Sequence, residues 1–228
     1  ENPSTGVYYA RINHTPTSAG PHNVSATARN LFDAEGFGEQ QNVFNAIPKA
    51  EGTLGATPDT ITVTNVTEST PQQIWTEPVF DNIDTNNASQ RDLLIEILSS
   101  SGITPSQDEI DVGTVQPGDT VSENITAIVD NNARPGSRTI NFRATWTEPD
   151  LSTGETSKDV TLLIEETEEL QTNITFPDQT ITFNDTTTVA TITARNTGNT
   201  DIEDVQILAE SDLENNIQLP ESTTIGRG

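Results

Sequence analysis

Ser137-Arg138-Thr139-Ile140-Asn141-Phe142-Arg143-Ala144-Thr145-Trp146-Thr147 carries the clearest structural signal in the chain. Ile140, Phe142, Ala144 and Trp146 fall on one side of an extended segment, and Thr139, Asn141, Arg143 and Thr145 on the other. Side chains alternate across a β-strand, so this pattern marks a strand with one buried and one wet face. Val160, Leu162 and Ile164 repeat it downstream. Upstream, Val121, Ile125, Ala127 and Val129 share a face, and residues 60–64 (Thr-Ile-Thr-Val-Thr) alternate with the same period. Turns rich in Gly, Pro, Asn and Asp separate the segments at intervals of about 8–12 residues, the spacing of an all-β sandwich. The 37 threonines suit exposed strand faces. One stretch is ambiguous. Leu93, Leu94, Ile97 and Leu98 have the spacing of a helix face stopped by Gly102, yet residues 94–98 pair equally well as a strand. Analogy with Val205-Gln206-Ile207-Leu208 favours the strand.

Residues 1–55 read differently. Val7-Tyr8-Tyr9-Ala10-Arg11-Ile12 is a strand candidate. After Asn23, the residues Val24, Ala28, Leu31 and Phe32 recur at helical spacing until Gly36 and Gly38 break the run. A second short stretch, residues 39–47, puts Val43 and Phe44 on one side and ends before Pro48. Together they predict a packed helix-turn-helix; membrane insertion of the segment around Phe37 is the sharper and less economical reading. The expected fold is therefore mainly β, with tandem sandwiches behind a small, partly helical N-terminal region. The expected divisions are 1–55 for that α+β region, 56–166 for one sandwich and 167–228 for a second, incomplete one. A length of 228 residues accommodates about two domains.

Ten basic residues stand against thirty-five acidic ones, a formal net charge of −25, and Lys49 and Lys158 are the only lysines. Self-repulsion at this charge opposes a compact state in dilute buffer. At about 1 M salt the screening length falls to about 3 Å and most of that repulsion disappears. Acid-rich, lysine-poor composition interleaved with periodic apolar residues thus points to a salt-rich medium. Scattered arginines supply no cluster for phosphate, which argues against nucleic acid and against peripheral binding to anionic lipid. With no cysteine, the chain has neither disulfides nor a thiolate metal site. The non-Met start is consistent with a removed signal peptide. No apolar run approaches the ~18 residues of a membrane span. Any membrane anchor is therefore expected outside residues 1–228, and the start lacks the long apolar helix of a type IV pilin.

Two segments look like copies of one unit. In the first, a strand at residues 60–67 leads to Ile95-Glu96-Ile97-Leu98 and then to Ile110-Asp111-Val112-Gly113. In the second, Gln179-Thr180-Ile181-Thr182-Phe183 and residues 189–194 lead to Val205-Gln206-Ile207-Leu208 and Ile225-Gly226. The first copy goes on to Val115-Gln116-Pro117-Gly118, so the natural chain is expected to continue past Gly228. Three turn motifs stand out: residues 110–119 ending in Pro117-Gly118-Asp119, the Asp130…Ala133-Arg134-Pro135-Gly136 turn, and Asn196-Thr197-Gly198-Asn199. In these the chain, from about residue 57 onward, resembles the immunoglobulin-like domains of archaeal S-layer and other cell-surface glycoproteins. Ser137-Arg138 stands where that family often has an aromatic residue. The motifs are turn chemistry, with Gly for positive φ, Pro for fixed φ and Asn bonding its own backbone. The resemblance implies a fold and a cell-surface setting, not an activity.

No catalytic constellation is visible. The only histidines, His14 and His22, lie eight apart, which is no recognised zinc spacing. Gly36-Phe37-Gly38 is too short for a phosphate loop. Asp108-Glu109-x-Asp111 and Asp201-x-Glu203-Asp204 are weak candidates for calcium or other cations, and neither matches the ordinary calcium loop. No other cofactor is expected. Trp75 and Trp146 read as core residues, not carbohydrate platforms. Seven Asn-x-Ser/Thr triplets, at Asn13, Asn23, Asn65, Asn87, Asn124, Asn173 and Asn184, are glycosylation candidates. About four or five would arise by chance in this composition, so some and not all are expected to be used. Asn65, Asn124 and Asn173 fall in segments read as strands.

The expectation is a non-enzymatic, extracellular surface glycoprotein ectodomain of a halophilic archaeon, structural or adhesive. Its expected partners are other envelope or host-surface proteins. A spike ectodomain of an enveloped haloarchaeal virus, acting in host attachment and membrane fusion, is the alternative. A third reading makes these modules accessories of a secreted hydrolase.

Overall fold

A computed structural model describes residues 11, 13–29, 35–85, 87–131, 133–177, 180, 187–208 and 222–227. The strand expected at residues 7–12 (Arg11 apart), Leu31, Phe32, most of residues 179–183 and the sequon at Asn184 lie outside them.

Among the described residues there are strands and no helix. Ten strands build one sandwich. One sheet has the order β3 (Gly52–Thr57), β5 (Gln72–Asn82), β10 (Ile125–Val129), β7 (Ile103–Pro105), with β9 (Thr120–Ser122) also paired to β5. The other has the order β4 (Thr60–Val63), β12 (Thr153–Ile164), β11 (Gly136–Thr147), β6 (Gln90–Ser99), β8 (Glu109–Val115). β4 runs parallel to β12, and the remaining sandwich pairings are antiparallel. The chain switches sheets across Pro58 and Asp59, between β3 and β4. With β3, β5 and β10 on one side and β6, β11 and β12 on the other, this is an immunoglobulin-like β-sandwich.

Its core is the one that alternation predicts. Ile140, Phe142, Ala144 and Trp146 of β11, with Val160, Leu162 and Ile164 of β12, are buried against Leu54, Ile74, Phe80, Ile125, Ala127 and Val129 of the facing sheet. The Phe80 and Trp146 rings meet edge-on at 5.5 Å between centroids, an arrangement that adds to the area each ring buries. The ambiguous segment is strand β6: Leu93, Ile95 and Ile97 point inward, while Leu98 is exposed. The β11–β12 hairpin runs from Gly136 opposite Ile164 to Thr147 opposite Thr153 and sets Trp146 across from Gly154. A Cβ on Gly154 would lie 2.2 Å from Trp146 Cε2, so only glycine leaves room for the indole. At Gln116-Pro117-Gly118-Asp119, the Asp119 N–H donates to the Gln116 carbonyl at 3.0 Å and Gly118 has φ +82. That is the type II turn its sequence encodes.

The N-terminal region corrects the helical expectation. Its described part is an antiparallel hairpin of β1 (Gly20–Arg29) and β2 (Glu35–Ala46), with a bulge in β2 at residues 41–43, opposite Asn23. Four apolar residues at helical spacing are a thin signal in so short a window. Val24, Ser25 and Thr27 are indifferent helix formers, and Gly36 and Gly38 would each cost about 1 kcal/mol in a helix. Cross-strand pairing satisfies the backbone instead.

Beyond the sandwich, β13 (Leu170–Thr175) pairs with β14 (Thr191–Asn196), and β15 (Ile202–Val205) with β16 (Thr223–Ile225). The segment compared with residues 95–98 is thus strand only as far as Val205. The Asn196-Thr197-Gly198-Asn199 turn is buried where these strands meet the sandwich. The Asn199 carboxamide accepts from the Thr167 N–H at 2.7 Å and donates to the Glu165 carbonyl at 2.9 Å. Thr197 C=O accepts from the Glu68 N–H at 2.8 Å, and Arg195 pairs with the Glu68 carboxylate. A Cβ on Gly198 would fall 2.1 Å from the Thr167 carbonyl oxygen. The motif read as a simple turn therefore also ties β14 to the segment after β12 and to Glu68.

Candidate functional site

Six of the seven sequon asparagines fall among the described residues, and all six are exposed. Asn13 precedes the hairpin. Asn23 sits opposite the β2 bulge, where its Oδ1 accepts from the Asn42 N–H at 2.9 Å. Asn65 and Asn124 correct the strand reading: Asn65 follows β4 in the irregular segment after it, with φ 56, and Asn124 lies just before β10. Asn87 occupies the loop between β5 and β6 with φ 64. Asn173 is on β13, as expected. The hydroxyl residues differ more. Thr67, which completes the Asn65 triplet, is buried, whereas Thr126 of the Asn124 triplet is half-exposed on an outward-facing position of β10.

The two tryptophans part company. Trp146 is 5% exposed and its Nε1–H donates to Glu148 Oε1 at 2.9 Å. Trp75, read as core, is 54% exposed, which overturns that reading. On β5, Ile74, Thr76 and Phe80 point inward, so Trp75 lies in the opposite phase with Gln73 and Glu77. The phase was available in residues 72–80; the expectation that a large aromatic belongs in the core outweighed it. Thr126 stands directly across from Trp75, and exposed Ile128 across from Gln73. Trp75, Asn124, Thr126, Gln73 and Ile74 line one shallow surface depression.

Glu148 is the polar residue that pattern reading misses. Its carboxylate is wholly buried; besides the Trp146 bond, Oε2 accepts from the Ala50 N–H at 2.6 Å. One backbone donor and one ring donor account for it structurally. His22 stacks on Phe44 at 4.9 Å, with His14 6.3 Å from His22. Among the described residues no three His, Asp or Glu side chains converge as a metal site. Asp108, Glu109 and Asp111 follow an exposed edge, and the Asp201 carboxylate accepts from the Arg227 N–H at 2.9 Å. Glu203 and Asp204 are exposed on β15.

Acid dresses the outside. Asp84 and Glu148 are the buried carboxylic residues described. Arg143 lies on the wet face of β11 between Glu155, at 2.9 Å, and Glu96, at 3.5 Å. The hydrogen bond to Glu155 and the two negative charges hold its pKa above the ordinary arginine value. Asp150, in the β11–β12 turn, is held below the usual carboxylate value by the Ser152 hydroxyl and then the Ser152 N–H. With 35 acids to 10 basic residues, basic side chains are too few to pair every carboxylate.

No protein-family model matches the chain, and no curated protein matches it either. Solved structures with some likeness include the periplasmic chaperone SfaE, at 14% identity over 49% of this chain and 57% of the chaperone, TM-score 0.31. The Escherichia coli alpha-2-macroglobulin matches at 14% identity over 71% of this chain and 9% of its own, TM-score 0.36. BcpA, the major pilin subunit of Bacillus cereus, matches at 9% identity over 90% of this chain and 74% of the pilin, TM-score 0.34. The chain thus spans little more than half the chaperone and a tenth or less of the macroglobulin, and likeness at this level carries no function across.

Proposed function

We propose that this chain is a non-enzymatic ectodomain of an extracellular surface glycoprotein of a halophilic archaeon, in the manner of S-layer and other envelope proteins. It presents a rigid, hydrated, glycosylated surface to other envelope or host-surface proteins. The supporting observation is the conjunction of exposed sequon asparagines with an acid-dressed immunoglobulin-like sandwich. Carboxylates retain water and cations when salt competes for both, and glycans add bulk and solubility at the surface. The buried module junction supports stiffness, since bending there would break several hydrogen bonds together. Membrane attachment, on this reading, comes from an anchor outside residues 1–228.

Production in a glycosylating halophilic host, followed by protease shaving of intact cells and glycopeptide mapping, tests it. Release of glycosylated peptides from intact cells is expected. Full protection of the chain inside cells, or no glycan on any sequon, would contradict it.

A viral spike ectodomain is the second reading. It is favoured by the N-terminal hairpin, where Phe37 is 68% exposed and Val43 and Ile47 are also exposed. Exposed apolar residues on a two-stranded arm are suited to insertion in a bilayer. Particles displaying the protein should then mix lipids with host-like liposomes; absence of mixing at any salt, temperature or pH removes this reading.

A further inference from the structure

Outward strand positions of this sandwich are filled mainly by Thr, Asn, Arg and Glu, as on β11 with Thr139, Asn141, Arg143 and Thr145. Trp75 departs from that habit, as Leu98, Ile128 and Leu163 do, but with the largest apolar side chain of the four. Leaving an indole 54% exposed on a wet sheet face forgoes much of the burial that makes aromatics useful. Exposed Ile128, diagonal to Trp75 across the β5–β10 ladder, extends the apolar surface there, and a contiguous apolar patch favours an occupant. The same depression is lined by Asn124, an exposed sequon asparagine, and by Thr126, the hydroxyl residue of that sequon. Thr126 is also the residue paired with Trp75 across the β5–β10 ladder.

We propose that Asn124 carries an N-linked glycan whose first sugar lies flat on the Trp75 indole, with its hydroxyls reaching the side chains of Gln73 and Thr126. This inference rests on the surface-glycoprotein reading. A pyranose presents one face of C–H groups and a rim of hydroxyls. That shape matches an indole plane bordered by an amide and a hydroxyl. Tethering does the rest: a sugar attached at the edge of the depression is held there at high effective concentration, so even a weak contact is populated. A neutral sugar also escapes the repulsion that an acidic partner would meet on this surface.

The attachment balances simply. Asn124 Nδ2 bonds to the anomeric carbon of a glycan delivered as a lipid-linked glycosyl phosphate. The anomeric C–O bond breaks, the lipid phosphate leaves with the electron pair, and the amide gives up one proton.

The test is a four-member set of the full chain from a glycosylating halophilic host: wild type, Asn124→Gln, Trp75→Thr and the double variant. Glycopeptide mass spectrometry and thermal melting in molar salt are the readouts. Asn124 should be occupied, and the wild type should melt about 2–4 °C above Asn124→Gln. In the Trp75→Thr background, removing the glycan should change the melting temperature by less than half as much, a non-additivity that marks contact. Chain made without glycosylation should tolerate Trp75→Thr with a shift within about 2 °C. Occupancy at Asn124 with additive effects would overturn the stacking and leave the surface reading intact. A bare Asn124 beside other occupied sequons would do the same. No glycan at any sequon would remove the inference together with the glycoprotein reading beneath it.

Discussion

The sandwich and the N-terminal hairpin are both built of strands, yet they are held by different physics. In the sandwich, β11 and β12 bury one face against another sheet, and Ile140, Phe142, Val160 and Leu162 lose all contact with water. In the hairpin, β1 and β2 pair with each other, and Val24, Phe37 and Val43 stay exposed. Pairing alone is marginal, because a two-stranded ribbon has no second layer to bury its apolar side chains. The difference teaches that alternation in a sequence reports a partner sheet, not merely an extended backbone.

The sharpest contrast comes from paired aromatic deletions. Phe142→Ala should cost about 3–5 kcal/mol of sandwich stability, since the cavity it leaves cannot be filled by water. Phe37→Ala in the hairpin should stay within about 0.5 kcal/mol. Denaturant unfolding of both variants checks this; equal losses would mean the hairpin packs on a core after all.

Glu148 anchors the segment that leads into the sandwich, because its partner Ala50 lies between β2 and β3. Glu148→Ala should leave two buried donors unpaired and cost about 2–4 kcal/mol. A loss below about 1 kcal/mol would show that the entry segment is not anchored there. Gln90 offers the opposite sign. It is fully buried at the start of β6, and its side-chain amide makes no hydrogen bond among the described residues. Gln90→Met, of similar volume, should therefore stabilise the sandwich by about 1 kcal/mol, seen as a raised melting temperature. A fall would mean that the amide is paired in solution.

The smallest effect is in the turn. Asp150 has a lowered folded-state pKa, owed first to the Ser152 hydroxyl. A lowered carboxylate pKa contributes stability that is present above the unfolded value of about 3.9 and is lost as pH falls through the folded value. Asp150→Asn should flatten that acid limb slightly and leave neutral-pH melting almost unchanged, measurable by melts between about pH 2 and 5.

The sandwich was legible because period two in residues 139–147, 160–164 and 125–129 survives in burial position by position. The turn motifs were legible because Pro117-Gly118 admits few backbone conformations. The hairpin was not, because Val24 and Ala28 in one stretch, and Val43 and Phe44 in the next, match helix faces as well as any strand, and only pairing partners decide. The proposed glycan face was half legible. Asn124 and its triplet are in plain view, but Trp75 becomes its neighbour only through the β5–β10 register, which links positions some fifty residues apart. The second role of Asn196-Thr197-Gly198-Asn199 was hidden for a similar reason: its partners Glu165, Thr167 and Glu68 lie elsewhere in the chain.

Thermal unfolding of the full chain across sodium chloride concentrations, from tens of millimolar to several molar, tests the acid-coated sandwich most directly. The melting temperature should climb steeply as the screening length shrinks to a few ångströms and carboxylate repulsion fades. A melting temperature that stays flat across the whole range would contradict the account.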